Sequence, residues 1–314
     1  MIFMDPFLPL TLNDKGLIDP FLQKTGKAGA EYSFTTLYMW SVIYKTHYKI
    51  MSYRDNDLLL VRSRKDKHAP FHFLYPMGLD GPLPAMEVKK VLTEAAGEEP
   101  FLVGCLSQEE ARQLAATDPH HIEIQPVRNA FDYIYNASDL AELKGKKYQT
   151  KRNHLNAFLN EYQGFEVRTI GPGDIPACIA MNDKWCQIMG CNKYPELGQE
   201  ACAVRRVYSG FTELGLEGMI MLVNKEIIAC TVGELFNRNT WLVHIEKAFP
   251  QYRGAYQAIN QMFLRYAMKN HPGIEYVNRE DDSGDEGLRQ AKLSYRPVSF
   301  VEKYTASFTQ LPTP

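Results

Sequence analysis

The strongest local signal in this sequence is the stretch Ile245-Glu246-Lys247-Ala248-Phe249-Pro250-Gln251-Tyr252-Arg253-Gly254-Ala255-Tyr256-Gln257. It predicts a strand, a loop with one glycine and an amphipathic helix, whose apolar stripe is Tyr256, Ile259, Phe263 and Tyr266. The first turn of such a helix has unpaired backbone N–H groups, and the small Gly254 and Ala255 leave room for a phosphate beside the backbone. The stretch therefore predicts a pyrophosphate site, with a purely structural turn as the alternative.

The elements on either side of this stretch are predicted to be both strands and helices. Their order is a hairpin, a strand, the loop, a helix, a strand, a short helix and a final strand. The predicted strands are 219–223, 227–232, 241–245, 274–277 and 300–304, and the short helix is 288–294.

The first half of the chain also predicts both strands and helices. The predicted strands are 48–54, 58–62, 71–75, 101–103 and 122–124, and helices are predicted at 86–96 and after the capping box of Ser107 and Glu110. A chain of 314 residues suits two domains. The mixture of strands and helices predicts an α+β protein. A junction-like segment, 136–145, follows an alternating strand at 131–135, so we predict a domain boundary near this strand, with domains 1–130 and 131–314.

Composition and charge favour an ordinary globular protein. Apolar residues make up 45% of the chain and charged residues 23%, far from the composition of disordered proteins. The formal net charge of −2 gives no global bias towards nucleic acid, so a polyanion would have to bind a local basic patch.

The N-terminal sequence and the cysteines indicate the compartment. The first residues lack the basic segment of a secretory signal, and no apolar run approaches the roughly 20 residues that span a bilayer. We therefore expect a cytoplasmic protein without stable membrane insertion. The six cysteines have no spacing typical of a zinc site, so we expect reduced, mostly buried thiols and no bound metal.

A polar segment, 278–297, follows the fourth strand of the second half. Ligands gather beyond the carboxyl ends of strands in such sheets, so this segment is a candidate rim of the site. Its candidate binding residues are Arg279, Asp281, Arg289 and Lys292. The spacing of Asp281, Ser283 and Asp285 is not a calcium loop, because Glu286 and Lys292 stand where that loop needs Gly and Glu. A solvated, capped turn is the alternative interpretation.

A basic cluster lies near the predicted junction. It consists of Lys144, Lys146, Lys147, Lys151, Arg152 and His154. Lys147, Lys151 and Arg152 are candidates for binding the phosphates of a transfer RNA, a lipid headgroup or coenzyme A. The alternative is a solvated helix face, and no RNA-recognition signature accompanies the cluster.

The loop in the opening stretch resembles the [Gln/Arg]-x-x-Gly-x-[Gly/Ala] loop of acetyltransferases. It departs from that pattern at Tyr256, where the family has a small residue. The resemblance implies coenzyme A or acyl-CoA as the donor, bound by Ile245, Lys247, Ala248, Phe249, Gln251, Tyr252, Arg253, Gly254, Ala255 and Tyr256.

Across nearly its whole length the chain resembles the phosphatidylglycerol lysyltransferase C-terminal-domain-like family, which is related to aminoacyl transferases. The resemblance rests on Tyr32-Ser33-Phe34-Thr35, on Tyr133-Ile134-Tyr135 with Leu140 and Leu143-Lys144-Gly145-Lys146-Lys147-Tyr148, on Lys151-Arg152-Asn153-His154, and on the segment 278–297. It implies two tandem GNAT-like (acyl-CoA N-acyltransferase-like) folds, each a mixed twisted sheet flanked by helices. The first would have a degenerate donor site, the second would keep the donor loop, and the substrate crevice would lie between them. Full-length lysyltransferases carry a large membrane portion that this sequence lacks, so a lipid acceptor is not favoured.

The GNAT-like picture also assigns catalytic roles. Acyl transfer needs a base for the nucleophile and a hydrogen-bond donor for the oxyanion. We predict Glu246 as the base, ahead of His244, and the backbone N–H near Ala248 as the oxyanion donor. Tyr295 would protonate the leaving group, with a core aromatic role as the alternative, and Asn278 completes the predicted catalytic set.

Together these features predict an acyl- or aminoacyl-transferase-like protein. It would move an acyl group from a CoA thioester, or from aminoacyl-tRNA, to an amine or hydroxyl acceptor. The alternative is a non-catalytic protein that binds a small molecule or nucleotide derivative at a lapsed transferase site. The sequence does not predict the oligomeric state.

Overall fold

The structure, a computed structural model, describes residues 6–308 and divides into two compact units. The first unit contains the chain up to Phe131 and again from Val301 onward, and the second contains Asp132–Phe300. Within the described residues no helix is long and apolar enough to cross a bilayer.

Each unit is built on one mixed sheet with helices against it. The strands, numbered along the chain, are β1 (Leu8–Pro9), β2 (His47–Tyr53), β3 (Asn56–Ser63), β4 (Phe71–Leu74), β5 (Met77–Gly78), β6 (Phe101–Leu106), β7 (Ile122–Pro126), β8 (Asp132–Asn136), β9 (Glu166–Thr169), β10 (Glu217–Val223), β11 (Glu226–Leu235), β12 (Thr240–Ala248), β13 (Tyr276–Asn278), β14 (Ser299–Val301) and β15 (Tyr304–Phe308). The α-helices are α1 (Lys15–Lys24), α2 (Phe34–Trp40), α3 (Ala85–Ala96), α4 (Gln108–Thr117), α5 (Ala137–Glu142), α6 (Gln149–Glu161), α7 (Ile175–Met189), α8 (Pro195–Ser209), α9 (Ala255–Asn270) and α10 (Glu286–Leu293). The predicted α+β class is therefore confirmed.

The two sheets have the same strand order. The first runs β1-β2-β3-β4-β6-β15-β7, with β5 paired to β3, and the second runs β9-β10-β11-β12-β13-β8-β14. In each sheet a helix connects two adjacent parallel strands, α3 between β4 and β6 and α9 between β12 and β13. The chain therefore contains one fold twice, and α5 and α6 are additional helices of the second unit, between β8 and β9.

The last strand belongs to the first sheet. β15 pairs antiparallel with both β6 and β7, through registers such as Ala306 with Val103 and Ala306 with Ile124. The sequence-based prediction of one final strand at 300–304, within a second domain ending at 314, is wrong here. Two strands occupy this region, and β15 lies in the first sheet because its backbone hydrogen bonds are made with strands far away in the sequence.

The cores of both units follow the apolar periodicity of the sequence. In the first unit the stripe of α3, with Val88, Val91 and Leu92, is buried in the core beside the sheet. In the second, Phe263 of α9 packs edge-on against Trp241 of β12, with ring centroids 5.5 Å apart, and both side chains are at most 1% exposed. Burying one such aromatic side chain contributes about 1.5–3 kcal/mol, so these contacts fix α9 on the sheet.

The cysteines differ from the sequence-based expectation of reduced thiols. Cys186, near the end of α7, forms a disulfide with Cys191, across a Cα–Cα distance of 5.4 Å. Cys178 and Cys230 are buried free thiols, whereas Cys202 is exposed. Sequence spacing could not show this pair, because the left-handed Gly190 that follows α7 brings the chain back on itself.

Candidate functional site

Strands β12 and β13 separate in the middle of the second sheet. Their parallel register runs from Thr240 opposite Tyr276 to Leu242 opposite Asn278, and β12 then continues to Ala248 without β13 beside it. A register shift in the pairing of β11 with β12 leaves His244 as an extra, bulged residue. The centre of the sheet therefore opens beyond Leu242, as the GNAT-like picture predicts for this strand.

Side chains rather than backbone groups connect the strands across this opening. Arg279 Nη2 donates a hydrogen bond to Glu246 Oε1 at 2.7 Å. His244 lies between two carboxylates, with Nδ1 2.9 Å from Glu280 Oε1 and Nε2 3.0 Å from Glu234 Oε1. Burial opposes the charge on His244, but hydrogen bonds to both carboxylates raise its pKa to about 9. The imidazole is therefore protonated at neutral pH and acts as a cation in the sheet.

Both oxygens of the Glu246 carboxylate accept hydrogen bonds. Arg279 donates to Oε1, and the Asn260 amide of α9 donates to Oε2 at 2.7 Å. The Glu246 side chain is 9% exposed and the Arg279 side chain 12%. Burial lowers the pKa of Arg279, but the neighbouring Glu246, Tyr135 and Tyr295 together outweigh that effect, so the pKa is raised. The predicted base is thus present at the opening but held by two donors.

Three of the predicted site residues meet around one aromatic ring. Lys151 Nζ lies 4.0 Å from the centroid of the Tyr295 ring, and Arg279 Cζ lies 4.9 Å from the same centroid. Cations are attracted to the faces of aromatic rings at such distances. We call Glu246, Lys151, Arg279 and Tyr295 the second-unit cluster. Its catalytic and binding roles stay predictions.

The second-unit cluster contains buried polar atoms without partners. Arg279 Nη1 and the Tyr295 hydroxyl are both buried and make no hydrogen bond within the described residues. Burial raises the pKa of Tyr295, and the positive charge of Arg279 and the nearby Gln257 side chain oppose this rise. Burial, followed by the positive charge of Arg279, lowers the pKa of Lys151 to about 8.

The start of α9, where the sequence predicts a phosphate site, is covered by α6. Gly254 has a φ of +87°, and a Cβ atom placed on it would lie 2.1 Å from the His154 carbonyl oxygen and 2.9 Å from Phe158 Cβ. Gly254 and Ala255 are buried. The small residue is therefore required for the close approach of a backbone carbonyl, which corrects the prediction that Gly254 leaves room for a phosphate.

Tyr256, which replaces the small residue of the acetyltransferase loop, lies at the predicted oxyanion position. Trp185 Nε1 of α7 is 3.1 Å from the Tyr256 hydroxyl and 3.1 Å from the Ala248 carbonyl. Burial raises the pKa of Tyr256, while the neighbouring Ala248 backbone and Trp185 indole oppose the rise. The Trp185 indole therefore links the Tyr256 hydroxyl to the end of β12.

The remaining residues of the predicted donor loop do not converge on one point. Ile245 and Phe249 are buried, Gln251 and Arg253 are exposed, and Tyr252 packs against Tyr162. Lys247 is 3% exposed, pairs with Glu200 Oε1 at 3.1 Å and lies 3.9 Å from the Trp185 ring.

Arg289 and Lys292 have structural roles in the loop after β13. Lys292 is 8% exposed, and its ammonium donates to the carbonyl oxygens of Arg279, Glu280 and Asp281. Arg289 pairs with the buried Asp282, with Nη2 2.9 Å from Oδ1. Both cations are thus engaged within the loop, and their assignment to a phosphate site stays a prediction.

Asn278 and Asp281 also shape this loop. The Asn278 amide donates to Asp132 at 3.1 Å, and its oxygen accepts from the Glu280 N–H at 2.7 Å. Asp281 Oδ1 accepts from the N–H and hydroxyl of Ser283. Asn278 is buried and both ends of its amide are hydrogen-bonded, and its catalytic role stays a prediction.

Some residues of the basic cluster hold the turn before α6, whereas Lys151 lies beside the Tyr295 ring. Arg152 donates to the carbonyl oxygens of Leu143 and Gly145 and so fixes the turn before α6. Lys147 pairs with Asp139 at 2.7 Å. Arg152 and Lys147 are thus engaged within the turn, whereas Lys151 points to the opening.

Sequence reasoning missed Asn260 and Trp185 as site residues. Asn260 is a polar residue on the otherwise apolar face of α9, and such a break in a buried stripe was the available signal. Trp185 gave no comparable signal, because a tryptophan on an apolar helix face is typical of an ordinary core. Among residues 6–308, no three or more His, Cys, Asp or Glu side chains are grouped to hold a metal ion.

Two GNAT-like units in tandem, the second with an opened sheet, define the structural class, and solved structures confirm the fold. A tandem GNAT protein from the clavulanic acid biosynthesis pathway superposes with a TM-score of 0.56 at 9% identity, covering 98% of this chain and 99% of that one. The L-PGS structure from Bacillus licheniformis gives 0.63 at 14% identity, covering 96% and 94%.

The chain belongs to the family described as phosphatidylglycerol lysyltransferase, C-terminal, whose model matches residues 23–307. A conserved protein of unknown function from Bacteroides thetaiotaomicron shares 34% identity and a TM-score of 0.87, covering 98% of this chain and 100% of that one. An uncharacterized protein of Mycoplasmoides gallisepticum is 25% identical over 194 residues, which span 58% of this chain and 61% of that relative. The chain is thus a member of the lysyltransferase C-terminal family and shares the tandem GNAT fold.

Proposed function

We propose that the second unit is an aminoacyl transferase that uses an aminoacyl ester, as carried by aminoacyl-tRNA, and not a CoA thioester. The acceptor would be an amine or a hydroxyl group. Family membership supports transfer of an aminoacyl group, and the packing around α9 supports the choice of donor.

The observation that carries the choice of donor is the contact between Gly254 and the His154 carbonyl. A GNAT pyrophosphate site needs the first turn of this helix to face an anion. Here a carbonyl oxygen, itself partly negative, lies beside the helix start. An anion would have to displace α6 to bind there, and the buried Leu155 and Phe158 hold α6 in place.

Tyr256 gives this site a different oxyanion donor. Its hydroxyl accepts a hydrogen bond from the Trp185 indole at 3.1 Å, so its own proton is available to another acceptor. In the proposed reaction that acceptor is the acyl carbonyl oxygen, which gains negative charge as the acceptor group attacks. The departure from the acetyltransferase pattern would then replace the Ala248 amide with the Tyr256 hydroxyl as the oxyanion donor.

Glu246 is the proposed base, and Arg279 controls it. The acceptor loses a proton to Glu246 Oε1 as it attacks the ester carbonyl. The ester C–O bond to the ribose then breaks, and the ribose oxygen takes that proton back from Glu246 as it leaves. Because Oε1 accepts from Arg279, the base becomes available only when the guanidinium turns to another partner.

The two hydrogen bonds that the Glu246 carboxylate accepts favour a second candidate function. With both carboxylate oxygens occupied, the site would bind its ligand without catalysing transfer, as in the alternative predicted from the sequence. Both candidate functions predict ligand binding, but only the transferase predicts turnover.

A transfer assay with labelled aminoacyl-tRNAs and a mixed pool of amine and hydroxyl acceptors tests the proposal. We expect transfer from aminoacyl-tRNA and none from acetyl-CoA. Replacing Tyr256 by Phe removes only the hydroxyl and should lower kcat by roughly 10²–10³, the usual cost of one oxyanion donor. Tyr252→Phe, in the same loop, is the matched control. Transfer from acetyl-CoA, or an unchanged kcat in Tyr256→Phe, would overturn the proposal, and ligand binding without turnover would favour the second candidate.

A further inference from the structure

The cations of the second unit near the opening differ in whether they have partners. Lys147, Arg152, Arg289 and Lys292 each bind a carboxylate or backbone carbonyl oxygens. Lys151 has no carboxylate oxygen within ion-pairing distance in the part of the chain that the structure describes. Its ammonium instead lies over the Tyr295 ring.

Arg279 uses only part of its guanidinium. Nη2 is bound to Glu246, whereas Nη1 is buried and makes no hydrogen bond within residues 6–308. Tyr295 is 4% exposed, and its hydroxyl is likewise without a partner. A buried donor without a partner is unfavourable, and Arg279 Cζ lies 4.9 Å from the Tyr295 ring centroid, so two such donors in one cluster indicate a ligand that completes them.

The charges of the second-unit cluster specify the ligand. Lys151 and Arg279 supply two positive charges, and Glu246 supplies one negative charge. The cluster therefore carries an excess of one positive charge in a largely desolvated place, where an unpaired charge is costly. A group with one negative charge and at least two acceptor oxygens would balance the charge and accept from Arg279 Nη1 and the Tyr295 hydroxyl.

We propose that Lys151, Arg279 and Tyr295 form a binding site for a singly charged oxyanion, a carboxylate or a phosphodiester, on a substrate of the second unit. This assignment rests on the proposed function only in calling the ligand a substrate. It gives Tyr295 a binding role in place of the proton-donor role predicted from the sequence.

Two pairs of small probes test the site by calorimetry. Hexanoate is compared with neutral hexanamide, and diethyl phosphate with neutral triethyl phosphate. We expect at least one anion to bind at least tenfold more tightly than its neutral partner, because hydrogen bonds to charged groups are the stronger ones. The probe that binds distinguishes the carboxylate from the phosphodiester. If neither anion binds better than its neutral partner, the proposal is wrong.

Single substitutions test whether the anion binds at the proposed residues. Lys151→Met and Tyr295→Phe keep the size and the ring, and each should weaken anion binding roughly tenfold. Lys147→Met, on the turn before α6, is the matched control and should leave it unchanged. Equal effects of Lys151→Met and Lys147→Met would contradict the site. Circular dichroism of each variant checks folding, and if Tyr295→Phe does not fold, Lys151→Met still decides the question.

The outcomes separate this proposal from the proposed function. Selective anion binding without aminoacyl transfer would support the oxyanion site and contradict the proposed transferase function. Aminoacyl transfer without selectivity for anions would support the transferase function and contradict the oxyanion site.

Discussion

Replacing Gly254 by Ala is expected to destabilise the second unit strongly. The new Cβ would lie 2.1 Å from the His154 carbonyl oxygen and 2.9 Å from Phe158 Cβ, in a backbone with φ of +87°. The left-handed conformation costs a non-glycine residue roughly 1–2 kcal/mol, and forcing extra atoms into a packed region costs roughly 1–3 kcal/mol. We therefore expect the free energy of unfolding to fall by about 2–5 kcal/mol.

Gly164 provides the matched control for this substitution. Its φ is +88°, but a Cβ atom placed there meets nothing within 4 Å. Gly164→Ala should therefore show only the conformational cost of roughly 1–2 kcal/mol. Urea unfolding followed by circular dichroism measures both variants. Equal losses for the two alanines would show that the His154 carbonyl does not lie against Gly254, and the argument against a phosphate at this helix start would fail.

Three further substitutions test other parts of the structure. Because the pKa of His244 is raised to about 9 in the folded protein, protonation of His244 stabilises the fold fully below about pH 6.5, and this stabilisation is lost as the pH rises through about 9. The free energy of unfolding should therefore fall by roughly 3 kcal/mol over that range. His244→Gln should flatten this pH dependence in urea titrations, and an unchanged slope would refute the ion triad. Lys292→Met should lower the free energy of unfolding by roughly 2–3 kcal/mol through lost hydrogen bonds to carbonyl oxygens, whereas an exposed binding charge would cost almost nothing. Phe263→Ala should cost about 3–5 kcal/mol in the same assay, and a loss below 1 kcal/mol would contradict its place in the core.

The predictable part of the fold was the part specified by local patterns. The 3.6-residue stripe predicted α9, and the capping box of Ser107 and Glu110 opens α4 as expected. The alternating strand patterns located β10, β11 and β12 within a few residues. These features depend on side chains close together in the sequence, so the sequence alone was sufficient.

The sheet to which a strand belongs was not predictable. β15 has the same local pattern whichever sheet it joins, and only its long-range hydrogen bonds with β6 and β7 decide this. The short edge strands β1 and β9 were missed for the related reason that they contain little apolar alternation.

At the candidate site, four of the residues predicted from the sequence lie together in the structure, namely Glu246, Lys151, Arg279 and Tyr295. Their roles stay predictions. The surroundings of Lys292 could not be predicted, because a lysine near a loop looks the same in the sequence whether it faces solvent or backbone carbonyl oxygens.

We propose that the opening of the second sheet accepts an aminoacyl ester and excludes coenzyme A. The decisive measurement is calorimetric titration with acetyl-CoA and with an amide-linked, non-hydrolysable aminoacyl-adenosine. We expect measurable binding of the aminoacyl-adenosine, weakened by Tyr256→Phe, and no binding of acetyl-CoA. Tight binding of acetyl-CoA with no binding of the aminoacyl-adenosine would contradict it.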